Sequence, residues 1–169
     1  KSPTVAIQGF GNVGFHIARL LQEAGYRVVA LSDSKGGIYN RNEQGFDMEK
    51  VKEYKQKTGS LANYKQTEST VNIANKAIIL LPVDILVPAA LEDVITEENA
   101  RNVEAKVILE MANGPTSDKA DEVLDQRKIP VVPDVLANAG GVTVSYYEWY
   151  QNMKNQKWTK KQVNAKLKK

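Results

Sequence analysis

The chain has 169 residues, 42% hydrophobic, 25% charged and 7% aromatic, with a formal net charge of +3, no cysteine and one histidine. These are the proportions of a single globular domain long enough to bury a core; the lack of cysteine excludes disulfides, thiolate nucleophiles and Cys-ligated metals, and one histidine excludes a multi-His site, so no metal is expected. The basicity is local, because residues 151–169 hold seven lysines and no acid, while the other 150 residues carry 16 basic and 20 acidic side chains.

The chain opens KSPT, without the pattern of a secretory signal, and then enters a β-rich run, Thr4 to Gln8. A glycine cluster follows, then Ile17, Leu20 and Leu21 at helical spacing, with Gly25 as the helix stop. A second strand is expected over Arg27–Leu31, a Gly-Gly turn at 36–37, and a helix from Asp47 to Lys57 with Asp47 as its cap. Residues 60–76 are ambiguous. Further strands are expected at Asp84–Val87, Lys106–Leu109 and Pro130–Val132, with helices at Ala90–Val94, Glu97–Asn102 and Ser117–Arg127 between them. The apolar runs, such as Ala77–Leu81, fall well short of the roughly 20 residues that cross a membrane. No membrane association is expected, and the cytoplasm is the expected location.

Alternating strands and helices of this length predict an α/β fold: a Rossmann-like, doubly wound, mostly parallel sheet in one domain, covered on both faces. The expected domain is residues 1–152. Residues 153–169 read as a lysine-rich helical tail, with Tyr150, Met153, Val163 and Leu167 near helical spacing and in need of an apolar neighbour. With one aromatic and no arginine, that tail is a poor nucleic-acid binder, and no nucleic-acid partner is expected.

Gly9-Phe10-Gly11-Asn12-Val13-Gly14 matches G-x-G-x-x-G, and its context carries the weight: a strand precedes it, a helix and a second strand follow, and Asp33 lies 19 residues beyond Gly14. Gly9 permits a tight turn, Gly11 lets the backbone approach a pyrophosphate, and Gly14 allows the helix to pack closely on the strand. The free N–H groups and positive end of the helix then hold the phosphate charge. Asp33 is expected to accept from the adenosine ribose. Its carboxylate favours NAD, while Ser32, Ser34 and Lys35 offer donors and charge that suit NADP, so NADP or dual use stays open. The alternatives are a glycine-rich turn that only packs, or a different phosphate-bearing ligand. His16, one turn into the helix, reads as a surface or packing residue.

Three later loops fall where the carboxyl edge of the sheet is expected: Pro88–Glu92, Glu110–Thr116 and Pro133–Trp149. Taken with the glycine loop, the segments GFGNVG, SDSKGGIYN, VDILVPAALE, EMANGPT and PDVLANAGGVTVSYYEW resemble the cofactor-binding domain of the glutamate dehydrogenase family, in that family's order and over residues 1–152. The resemblance implies that Phe10, Gly11, Asn12 and Val13 contact the pyrophosphate and that Asp33 and Ser34 contact the adenosine ribose. It further implies that Ala89, Ala90, Asn113 and Asn138 line the nicotinamide riboside, and that Val142 and Ser145 meet the substrate side chain. For Ser145 the alternative is a hydroxyl bonded back to its own helix.

The implied reaction is reversible oxidative deamination of L-glutamate to 2-oxoglutarate and ammonia with NAD(P). It needs a lysine of lowered pKa, an acid/base carboxylate and cations for the substrate carboxylates. In this family a substrate domain preceding the glycine loop supplies them. The chain is therefore expected to be a truncated cofactor domain with no catalytic residue of its own, part of a homo-hexamer when full-length. Related leucine, valine and phenylalanine dehydrogenases share the glycine loop and the NAGGV segment but lack the EMANGPT and PAALE forms. A cofactor domain of such an enzyme, or a free-standing NAD(P)-binding sensor, are the alternatives.

Overall fold

The computed structural model describes residues 2–168, which run through β1 (Thr4–Gln8), α1 (Asn12–Glu23), β2 (Arg27–Asp33), β3 (Gly36–Asn40), α2 (Met48–Thr58), β4 (Thr70–Ile73), a 3-10 segment (Asn75–Leu80), β5 (Ile85–Pro88), α3 (Glu97–Ala100), β6 (Val107–Leu109), α4 (Asp118–Gln126), β7 (Val131–Val132), α5 (Asp134–Ala137), α6 (Ala139–Met153) and α7 (Lys160–Leu167). The strands form one sheet in the order β4-β3-β2-β1-β5-β6-β7. Five of them run parallel, while β3 lies antiparallel to β2 and β4 antiparallel to β3. From β1 the chain winds outward to β4, returns to β5 on the other side of β1, and winds outward again. The carboxyl ends of β1 and β5 therefore meet at the switch point, where sheets of this kind hold ligands.

Every residue of β1 is buried because helices cover both faces. Val5 and Ile7 join a core with Ala18 of α1 and Met48 and Val51 of α2. Ala6 faces the opposite layer, with Ile78 of the 3-10 segment, Ala100 of α3 and Leu124 of α4. Pairing with β2 jumps from Val5–Val28 to Ala6–Ala30, so Val29 is an extra residue, and the bulge turns Val29 and Ala30 toward one core while Val28 and Leu31 serve the other.

Local chemistry sets the helix ends. Gly25, in the left-handed region at φ 89°, ends α1 with its N–H on the Gln22 carbonyl. Asp47 and Ser117 cap α2 and α4, and Thr159 and Gln162 close a reciprocal box at the start of α7.

Two expectations are corrected. The reversal after β2 is made by Ser34 and Lys35, and Gly36-Gly37 instead begins β3, because a Cβ at Gly37 would lie 2.9 Å from the Leu31 carbonyl oxygen. Residues 90–94 are not helical: Asp93 takes φ 50° and donates its N–H to the Gly114 carbonyl of the neighbouring loop. The ambiguous stretch from 60 to 76 resolves into a loop, β4 and the first residues of the 3-10 segment.

Helix α6 runs through position 152, and α7 folds back on it. Trp158 packs its ring 5.6 Å from Tyr147 and 5.7 Å from Tyr150, and Lys166 lies 4.5 Å over the Trp158 ring. Tyr150 thereby finds its apolar neighbour within the chain, while Met153 stays exposed. Neither α5 nor α6 contains a buried residue, and Val135, Leu136, Val142, Tyr146 and Trp149 stand exposed along them.

Candidate functional site at the carboxyl edge

The glycine loop leaves β1 and is pinned to β2, with the N–H groups of Gly9 and Phe10 donating to the Ser32 carbonyl at 3.0 and 2.7 Å. Gly9 sits at φ 95°, and a Cβ there would come within 2.7 Å of the Ala90 Cβ and 2.8 Å of the Ala89 oxygen. The bare glycine thus lets the loop abut the segment after β5. A Cβ on Gly14 would lie 1.7 Å from the Gly9 carbonyl oxygen, so α1 packs on the loop through its missing side chain. Gly11 differs, since nothing lies within 4 Å of the position its Cβ would take. That open space sits over the first turn of α1, where exposed Asn12 and Val13 present N–H groups with no partner inside the helix.

Phe10 is a strut. Its ring is buried, edge-on to Phe15 at 5.9 Å, and its carbonyl accepts from Lys55 Nζ at 2.7 Å. With its N–H on Ser32 as well, both of its backbone polar groups are occupied, which leaves Gly11, Asn12 and Val13 as the donors facing open space. Lys55, in the last turn of α2, also lies 3.6 Å from Asp33 Oδ2.

Asp33 ends β2 and is buried. Its Oδ1 accepts from the Lys35 N–H at 2.9 Å and its Oδ2 from the Leu61 N–H at 2.8 Å. Two N–H donors and Lys55 therefore hold its charge in place, with Ser34 exposed beside it. Lys55 was missed by sequence reasoning. It stands 22 positions from Asp33, and one lysine among the several of α2 carries no local mark.

The three loops are stitched together. Ala89 donates its N–H to Gln8 at 2.8 Å, and Met111 and Ala112 both donate to the Pro88 carbonyl at 3.0 Å. Gly114 donates to Asp134 Oδ2 at 2.8 Å, and Asp134 donates its own N–H to Glu110 Oε2 at 3.0 Å. Asn138 Nδ2 reaches Asn113 Oδ1 at 2.7 Å. Ala89, Ala90, Asn113 and Asn138 thus share one edge with the glycine loop. Glu110 was also missed, although an acid placed directly after an apolar strand is a signal that a partner is required.

Two clefts flank the start of α1 and share Asn12. One, of about 350 Å³, is lined by Phe10, Gly11, Asn12, Lys52 and Lys55. The other, also of about 350 Å³, is lined by Asn12, Val13, His16, Met111, Asn138 and Gly141. A larger hollow of about 670 Å³ lies between α6 and α7, around Tyr147, Gln151 and Trp158, with none of the glycine-loop residues in its wall.

Val142 and Ser145 project from α6 one turn apart, both exposed. The Ser145 hydroxyl donates to the Gly141 carbonyl at 3.2 Å, and Thr143 does the same to Ala139 at 2.8 Å. The back-bonded arrangement is the one the structure holds. His16 is exposed, with its ring 5.4 Å from Phe15. Among the described residues no helix is long and apolar enough to cross a membrane, and no group of three or more acids and histidines could hold a metal.

Comparison with known proteins agrees with this geometry. The profile of the Glutamate/Leucine/Phenylalanine/Valine dehydrogenase family matches residues 1–169. A glutamate dehydrogenase of Thermotoga maritima is 52% identical over 170 residues, and an NADP-specific glutamate dehydrogenase of Synechocystis sp. is 49% identical over 174. The chain is covered almost completely in both and spans 40% of each relative's length. The crystal structure of the hetero-hexameric glutamate dehydrogenase from Thermus thermophilus superposes with a TM-score of 0.87 at 32% identity, covering 99% of this chain and 38% of that one. The sheet order, the glycine loop and these matches agree, and the chain belongs to the Glutamate/Leucine/Phenylalanine/Valine dehydrogenase family.

Proposed function

We propose that this chain is the cofactor-binding portion of a glutamate dehydrogenase. The observation that carries the reading is the pair of clefts meeting at Asn12, one of them lined by Gly11, beside whose Cβ position nothing lies within 4 Å. A dinucleotide laid across this edge puts its pyrophosphate on the N–H groups of Gly11, Asn12 and Val13. Its adenosine ribose lies toward Asp33 and Ser34, and its nicotinamide riboside toward Ala89, Ala90, Asn113 and Asn138. The residues fit such a group, because Gly11 leaves space that a Cβ would fill and the helix start offers unpartnered donors to an anion.

When bound, the nicotinamide supplies the acceptor for the hydride removed from the α-carbon of the amino acid. The chain's own residues hold and orient the cofactor. The lysine, carboxylate and cations needed for reversible deamination of L-glutamate to 2-oxoglutarate and ammonia come from a substrate domain, within a homo-hexamer, and the exposed Val142 and Ser145 face that substrate, Ser145 by turning its hydroxyl away from the Gly141 carbonyl. The exposed apolar side chains of α5 and α6 are consistent with a further protein surface packing there. The Asp33 carboxylate favours NAD, and the Lys55 ammonium beside it offsets the charge that would repel a 2′-phosphate, so NADP is accommodated as well.

The test is a calorimetric titration of the chain with NADH and NADPH, repeated on Gly11→Val and Asp33→Ala. Saturable binding that disappears in Gly11→Val supports the reading, and the Asp33→Ala comparison reports whether that carboxylate sets the preference. A folded sample that binds neither cofactor would refute it.

A further inference from the structure

Glu110 is a buried carboxylate that is not itself among the proposed cofactor contacts. It closes β6, and its backbone N–H donates to the Val132 carbonyl at 3.1 Å, holding β6 against β7. Its side chain crosses to the next loop, where Oε2 accepts from the Asp134 N–H at 3.0 Å. That N–H opens α5, a single turn with no buried residue, so packing alone does not hold α5 in place. The turn is tethered at its start by Glu110 and at its end by Asn138, whose Nδ2 reaches Asn113 Oδ1. Between them, Asp134 holds the N–H of Gly114, which stands at φ 52° and sets the course of the chain beside Asn113.

We propose that Glu110 is a positioning residue for the nicotinamide end of the cofactor, acting through Asp134 on the Asn113–Asn138 pair. The inference rests on the assignment of those two asparagines to the nicotinamide riboside. A buried carboxylate is costly unless its hydrogen bonds are made, and a bond to a charged acceptor is stronger and more directional than one to a neutral group. Glu110 therefore fixes where α5 begins, and with it the separation of two side-chain amides 25 positions apart. The adenosine half is held independently, by the bonds of Gly9 and Phe10 to Ser32, by those of Asp33 to the Lys35 and Leu61 N–H groups, and by Lys55.

The experiment compares NADH with ADP-ribose, which lacks the nicotinamide, in titrations of wild type, Glu110→Ala, Glu110→Gln and Asn113→Ala, while following the emission of bound NADH. Glu110→Ala is expected to weaken NADH about tenfold and leave ADP-ribose within about twofold, while Glu110→Gln, which keeps an acceptor, recovers most of the loss. The emission of bound NADH should move toward that of the free cofactor in Glu110→Ala alone of the two. If Glu110→Ala does not fold, Glu110→Asp carries the same comparison, since it keeps the charge and loses one methylene of reach. Asn113→Ala separates the two ideas. Should it leave the NADH to ADP-ribose ratio unchanged, the nicotinamide assignment fails and the proposal falls with it. Should it lower the ratio while Glu110→Ala does not, the assignment stands and the positioning role alone is overturned. An equal loss of both ligands in Glu110→Ala, unrescued by Glu110→Gln, would mark Glu110 as merely structural.

Discussion

Alanine at Gly11 and alanine at Gly14 should do opposite things, although both remove a glycine from the same motif. At Gly14 the new Cβ would sit 1.7 Å from the Gly9 carbonyl oxygen, so α1 and the loop must separate by more than an ångström to reach the 3.0 Å that a real Cβ tolerates. The obstructing atom is backbone, held in a loop whose neighbouring N–H groups are bonded to Ser32, and the core behind it includes Ile7 and Ala18. Overpacking of this kind costs about 3 kcal/mol, or a fall in Tm of roughly 6–12 °C for a domain of this size. At Gly11 the backbone lies at φ −90° and ψ −152°, an extended conformation open to alanine, and no atom lies within 4 Å of the new Cβ. Stability should hold to within about 0.5 kcal/mol. The methyl instead occupies the space proposed for the pyrophosphate, and the loss of one or two charge-assisted bonds there lowers affinity by about 10- to 100-fold. Differential scanning calorimetry and NADH titration of the two variants read both quantities. Gly11→Ala binding NADH as tightly as wild type would remove the pyrophosphate from this space, and Gly14→Ala melting at the wild-type temperature would remove the close packing of α1 on the loop.

At the opposite edge of the sheet, Asp84 accepts from the Thr4 N–H and hydroxyl at 2.7 and 2.9 Å and from Lys106 at 2.7 Å. The Lys106 bond first, and the Thr4 N–H second, lower its pKa from 3.8 to about 2. Because the folded value is depressed, the stabilisation is complete above the unfolded pKa and is lost as pH falls toward 2. Asp84→Asn should cost about 1–2 kcal/mol at pH 7, allowing for the exposure of the pair, and chemical denaturation should show that difference shrinking between about pH 4 and pH 2. Removing the Lys55 ammonium leaves the Asp33 charge uncompensated, so Lys55→Ala should weaken NADPH about tenfold more than NADH, whereas an equal change in both would contradict the role given to Lys55. Trp158→Ala should free α7, exposing residues 154–159 to limited proteolysis while the sheet melts within about 1 kcal/mol of wild type.

What could be read along the chain was whatever local chemistry decides. The glycine loop was readable because strand, glycines, helix and acid lie within one βαβ unit, and the helix cap Asp47 because a cap acts within three residues. Gly36-Gly37 misled because glycine marks two different needs. It suits a turn, but here it suits the close approach of β3 to β2, which depends on a pairing the local sequence does not state. The segment from Ala90 to Val94 has helical composition, yet Asp93 bonds to Gly114, a partner from another loop. The same reason hid the supports of the site. Lys55 with Asp33, and Glu110 with Asp134, are pairs made by the folding of the sheet, and no spacing rule connects them. The residues proposed to face the cofactor were visible as motifs, while those that hold them were not.

Whether a dinucleotide lies across the start of α1 is read from the amide resonances of the ¹⁵N-labelled chain as NADH is added. The backbone signals of Gly11, Asn12 and Val13 and those around Ser34 should shift together with the side-chain amides of Asn113 and Asn138, while Thr4 and Asp84 stay still. Shifts confined to the α6–α7 hollow, or none from a folded sample at saturating cofactor, would contradict that placement.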